Sequence, residues 1–179
     1  MRDEMKGKRT TQTDPSDLAS SSGKAHTVVL DAQLCFPLYA ASRLLTRQYQ
    51  PLLERFGLTY PQYVVLMVLW ERALRTVGEI GERALLNSNT LTPLLKRLEA
   101  QGLIRRQRAA GDERVVEVHL TERGELLQAE CACVQDALRN QVAMDPEKLV
   151  ALKAGLDEFL EHLQRLENIP DEPSISCAK

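Results

Sequence analysis

Apolar residues recur at helical spacing from Thr27 to Phe56, at Leu30, Leu34, Leu38, Ala41, Leu45, Leu52 and Phe56, with Gly57 as a stop. This pattern predicts a long first helix, with Pro37 and Pro51 as the places for a bend. "LTYPQYVVLMVLWERA" opens on Thr59 before Pro61, a cap and a first-turn proline, and is then so apolar that it predicts a central helix buried nearly all round. Thr76 followed three residues later by Glu79 has the spacing of a capping box and predicts a short helix to about Leu85. In "NSNTLTPLLKRLEAQG", Ser88 and Asn89 are the capping candidates, Leu91, Leu94, Leu95 and Leu98 form the apolar face, and Gly102 ends the helix. The period then changes from helical to alternating. Val116, Val118 and Leu120 alternate with Glu117 and His119, and "AAGDE" supplies the turn of a β-hairpin. Thr121 caps a further long helix to about Val142, and Asp145 with Pro146 starts the last one, to about Leu166.

The expected fold is therefore mainly α with a small β-hairpin wing. Helix, short turn, helix and hairpin over residues 76–120 is the order of a winged helix-turn-helix, whose second helix enters the major groove while the hairpin tip reaches an adjacent groove. Residues 1–25 are polar, aperiodic and rich in Ser, Thr and Lys, the composition of a disordered arm. The domain proper is expected over 26–168, and 169–179 reads as a flexible tail. The helices at 27–56 and 122–166 exceed what a winged domain of roughly 60 to 70 residues needs. They have apolar stripes to bury, for which packing on a symmetry mate is the economical solution and a monomeric bundle the alternative.

Composition narrows the chemistry. Among 179 residues the net charge of -2 excludes a uniformly basic nucleic-acid coat. Yet Lys96, Arg97, Arg105, Arg106, Arg108 and Arg114 face only Glu99, Asp112 and Glu113 over the predicted second helix and wing. Basic charge is thus concentrated where DNA would lie, and Ser88, Asn89, Thr90 and Thr92 offer short polar side chains for base edges and phosphates. The N-terminus lacks a secretory apolar run and no stretch is apolar enough to span a membrane, so a cytoplasmic protein is expected. Four cysteines, Cys35, Cys131, Cys133 and Cys177, are too few for a disulfide framework in a chain of this length, and no CxxC suggests a metal. No cofactor is implied. His26, His119 and His162 read as solvated surface.

"LCFPLYAASRLLTRQYQPLLERFGLTYPQYVVLMVLWE", "TLTPLLKRLEAQGLIRRQRAAGDERVV" and "LTERG" resemble the MarR-type winged-helix repressors, specifically their organic hydroperoxide resistance branch, densely over residues 30 to about 125. The resemblance implies a homodimer on a pseudo-palindromic operator, contacted by Ser88, Asn89, Thr90, Thr92, Lys96 and Arg97, and the basic charge of the wing adds Arg108 to the expected DNA contacts. It also implies a wing pair in which Asp112 holds Arg114 for the minor groove. In that family Cys35 is the residue that an organic hydroperoxide oxidises to a sulfenic acid. The thiolate is supported by hydroxyls matching Tyr49 and Tyr60 across the dimer, with Tyr39 one turn away. Tyr63 reads as a core aromatic. Two-cysteine members resolve the sulfenic acid with a cysteine of the partner, whereas one-cysteine members use a small thiol. Asn140 stands at the family's resolving position, which leaves Cys131 and Cys133, two to three turns earlier, as candidate resolving residues and Cys177 as a weaker one.

The expected function is a repressor that leaves its operator when organic hydroperoxides oxidise Cys35. The alternatives are a MarR-type repressor released by a small phenolic ligand, with Cys35 merely packed, and a thiol peroxidase that uses Cys35 catalytically.

Overall fold

The computed structural model describes residues 29–167. The predicted arm, the tail, His26, Thr27 and Cys177 lie outside the described residues. The chain divides into two compact units, up to Tyr63 and from Val64 onward.

In the first unit a short 3-10 turn at Leu30–Ala32 precedes α1, Cys35–Glu54. The helix expected from Thr27 thus begins eight residues later, and Gln33, in extended backbone, separates the two. Pro37, the third residue of α1, marks a start rather than a bend, because an N–H in the first turn has no intrahelical partner to lose. Pro51 lies in the last turn. The helix α2, Tyr60–Glu71, opens with a half capping box: the backbone N–H of Thr59 donates to Gln62 Oε1 at 2.9 Å and its hydroxyl to the same oxygen at 3.0 Å. Those bonds satisfy the side-chain oxygen of Gln62, a buried polar residue next to Tyr63. Val65, Leu66, Val68 and Leu69 are buried, as the apolar run requires.

The second unit carries the winged element. Strand β1, Leu74–Thr76, leads into α3, Val77–Ala84, then α4, Ser88–Ala100, β2, Ile104–Arg108, and β3, Val116–Leu120. The sheet has three antiparallel strands in the order β1-β3-β2, so the expected two-stranded hairpin gains a strand. At α3 the capping box is complete: Glu79 N–H donates to Thr76 Oγ1 at 3.2 Å, and Thr76 N–H to Glu79 Oε2 at 2.6 Å. The cap of α4 is Asn87, not Ser88 or Asn89. Asn87 Oδ1 accepts from Thr90 N–H at 2.9 Å, which leaves Ser88 and Asn89 inside the first turn. Leu91, Leu94, Leu95 and Leu98 are the buried face of α4, as expected.

Thr121 caps α5, Glu122–Val142, accepting from Gly124 N–H at 3.1 Å and donating to Gly102 O at 2.6 Å. The buried positions of α5, Gly124, Leu127, Cys131, Val134 and Leu138, alternate three and four apart. Asp145 Oδ1 caps α6, Pro146–Glu167, by accepting from Glu147 N–H at 2.8 Å. No residue of α6 is buried, and Leu53 is the one buried residue of α1. Among the described residues no helix is long and apolar enough to cross a membrane.

Candidate nucleic-acid interface and redox site

Burial of four leucines on one side of α4 leaves Ser88, Asn89, Thr90, Thr92, Lys96 and Arg97 exposed on the other. Thr92 donates its hydroxyl to Ser88 O at 2.8 Å, so it presents a methyl group and oxygen lone pairs outward. Beside this face a groove of about 480 Å³ runs between α3, α4 and the wing, lined by Val77, Gly78, Thr92, Leu95, Arg114 and Val116. In the turn between β2 and β3, Asp112 Oδ1 accepts from Arg114 N–H at 2.9 Å, and Arg114 Nε lies 3.5 Å from the same oxygen. The aspartate fixes the turn, while the Arg114 side chain stays 94% exposed. Arg108 is exposed too, 3.7 Å from Glu113.

Arg106 departs from the expected basic surface. It donates to Glu99 Oε2 through Nε at 2.9 Å, and its backbone N–H donates to Glu99 Oε1 at 3.0 Å. The strand period could have shown this: Arg106 lies opposite Val118, on the face of buried Ile104, whereas Arg105 points the other way. The pair ties α4 to β2. It holds the Glu99 carboxyl below its ordinary 4.5, first through the side-chain hydrogen bond from Arg106 and then through the backbone one. A carboxylate with a lowered pKa stabilises the fold fully above its unfolded value and loses that contribution as pH falls through the folded value. The difference in melting temperature between wild type and Glu99→Gln is therefore expected to be constant above about pH 5 and to shrink below 4.5. A gap that does not shrink as the pH falls below 4.5 would rule out the carboxylate as its source. His119 is half-buried rather than solvated, its Nε2 3.4 Å from Glu117 Oε2 without hydrogen-bond alignment. His162 is exposed on α6.

Cys35 is exposed and is the first residue of α1, where backbone N–H groups have no intrahelical acceptor. Tyr39 follows one turn later, 61% exposed, with the Arg43 guanidinium 5.7 Å from its ring centre. Tyr49 and Tyr60 stack with ring centres 4.7 Å apart, and buried Tyr63 completes the cluster at 6.0 Å from Tyr49. Burial, followed by the neighbouring Tyr60 and Tyr63, pushes the Tyr49 hydroxyl up to about 12, and burial raises Tyr60 as well. Both therefore stay protonated at neutral pH. Tyr49 lies fourteen residues along α1 from Cys35, a rise of about 21 Å, so within one chain the tyrosine pair is out of reach of the thiol. Cys131 is 2% exposed on the inward face of α5, and Cys133 is exposed, its thiol 3.5 Å from Glu130 O. A cleft of about 490 Å³ beside Tyr60 is lined by Thr46, Gln50 and Glu54 of α1 and by Leu58 and Thr59.

The chain is 46% identical over 136 residues to the organic hydroperoxide resistance transcriptional regulator of Bacillus subtilis (strain 168), covering 76% of this chain and 92% of that one. The chain belongs to the MarR-type winged-helix transcriptional regulators. A family model described as transcriptional regulator SarA/Rot matches residues 47–130 of this MarR-type protein. Among solved structures it is similar to AbfR of Staphylococcus epidermidis. Reduced AbfR bound to DNA superposes with a TM-score of 0.62 at 39% identity, over 75% of this chain and 94% of that one. Disulfide-formed AbfR gives 0.54 at 38% identity, over 78% and 93%. The MarR-type fold and its relatives make this a DNA-binding transcriptional regulator and not an enzyme.

Proposed function

We propose that this regulator is a homodimeric repressor that senses organic hydroperoxides through Cys35 and releases its operator on oxidation. The separation of Cys35 from the Tyr49–Tyr60 pair carries the reading, because two protonated hydroxyls reach the thiolate only from a second copy. The uncovered apolar stripes support that second copy: Leu34 just before α1, Leu44 and Leu45 on α1, and Val150, Leu152, Leu156, Leu160 and Leu163 on α6 are exposed. Similarity to a regulator named for organic hydroperoxide resistance, and to AbfR in reduced DNA-bound and disulfide forms, supports the chemistry.

The Cys35 thiolate sulfur attacks the terminal peroxide oxygen, the O–O bond breaks, and the leaving alkoxide takes a proton to become an alcohol, leaving a sulfenic acid. A second thiol then displaces water to form a disulfide. Cys133, being exposed, meets a partner's sulfenic acid without unpacking α5, whereas buried Cys131 fits the packing role. Half-buried Phe36 and Leu38 flank the thiol with apolar surface suited to alkyl hydroperoxides. A mobility-shift titration of Cys35→Ser with and without cumene hydroperoxide tests the reading. A serine variant that lets go of DNA as wild type does would assign the response elsewhere, with the cleft beside Tyr60 as the seat for a small ligand.

On the DNA side, Ser88, Asn89, Thr90, Thr92, Lys96 and Arg97 read the major groove, and Arg114, with Arg108, reaches the neighbouring backbone and minor groove. Arg114→Ala is expected to weaken binding and to reduce the slope of log K against log salt by about one per chain. An unchanged slope in salt-titrated anisotropy would place the wing off the DNA.

A further inference from the structure

We propose that Glu71 is a positioning residue: it fixes the angle at which α3, and with it the recognition helix α4, leaves α2, and so sets specific operator affinity without touching DNA. Glu71 is the last residue of α2 and accepts from two arginines on two further elements. Arg83, on α3, donates Nη2 to Oε1 at 2.7 Å and Nε to Oε2 at 3.1 Å, a bidentate fork. Arg75, on β1, donates Nη2 to Oε2 at 3.2 Å, while its Nε caps the end of α2 at Val68 O, 3.1 Å away. One turn back along α3, Glu79 lies 3.5 Å from Arg72. Adjacent residues at the end of α2 thus grip α3 at two points four residues apart, which resists its rotation about a single contact.

α3 passes that orientation on to α4. Leu86 N–H donates to Gly81 O at 2.8 Å, and a Cβ on Gly81 would lie 2.9 Å from Leu86 O and 3.6 Å from Leu91 on α4. The helix pair therefore moves as one body, and its angle to α2 sets where α4 meets its half-site. Exposed ion pairs contribute little to global stability, so loss of this one should appear in registration on DNA rather than in unfolding.

The test uses the full chain and a duplex selected by it from random-sequence DNA, with a scrambled duplex as the non-specific control. In Glu71→Gln, specific affinity is expected to fall about fivefold or more, while non-specific affinity stays within about twofold. Arg83→Gln should lose a similar amount, and the double variant little more than either single, because the residues act as one clamp. Specific affinity within about twofold of wild type in both single variants, equal falls on both duplexes, or additive losses in the double variant would each overturn the proposal.

Discussion

Serine at position 35 is expected to leave the reduced protein's operator affinity unchanged and to abolish its loss on oxidation. Treated with a stoichiometric excess of cumene hydroperoxide, wild type should fall about a hundredfold or more toward non-specific binding, since specific and non-specific DNA affinities typically differ by about a thousandfold or more. Cys35→Ser should hold its affinity through the same dose. The substitution is nearly isosteric at an exposed position that begins a helix, so it disturbs neither packing nor capping. A serine hydroxyl is not ionised at neutral pH and cannot open the peroxide bond, so the first step disappears. Denaturing gels without reductant extend the result. Oxidised wild type should run as a linked dimer, and Cys133→Ser should lose that band if Cys133 is the resolving thiol; a retained band points to Cys131 or Cys177.

The second large effect concerns stability and lies at Gly124, in the first turn of α5. A Cβ there would sit 2.1 Å from Leu103 O and 3.1 Å from both Leu103 C and Leu120 Cδ2. The nearest obstacle is backbone. That carbonyl also accepts from Thr121 N–H at 3.1 Å, and Gly124 O accepts from the Trp70 indole at 2.9 Å, so neither side can retreat without breaking hydrogen bonds. Gly124→Ala is therefore expected to cost about 3 kcal/mol, at the upper end for overpacking, and to lower the melting temperature by about 6–12 °C. Gly78→Ala is the control: the nearest atom to its added Cβ is 3.9 Å away, in the first turn of α3, and its melting temperature should match or slightly exceed wild type. If Gly124→Ala melts within 2 °C of wild type, α5 is not seated against the turn after α4 as tightly as these distances state.

Long periodic helices and their caps were readable from residue order alone, because Thr76 and Glu79, or Thr121 and Gly124, interact across a single turn. Strand β1 was not, since three residues carry no period and its pairing is with β3, far along the chain. Asn87 was hidden by two neighbours of the same capping chemistry. The start of α1 was misplaced because Leu30 and Leu34 continue the helical spacing through a segment where Gln33 is extended. At the site, the exposed face of α4 followed from its leucine pattern. Arg106 looked like DNA-facing charge until Glu99 claimed it, and the grip of Glu71 on Arg75 and Arg83 depends on a tertiary register that spacing does not encode.

The separation of about 21 Å along α1 between Cys35 and Tyr49 has a regulatory consequence. Under the proposed reading a lone chain holds half of two different sensors and one half-site reader. Dimerisation completes all of them together, so dilution below the dimer dissociation constant removes specific repression and peroxide response at the same concentration. A population that represses but cannot hear its signal does not arise by dissociation. It requires damage to the thiol or to the tyrosine hydroxyls that support it.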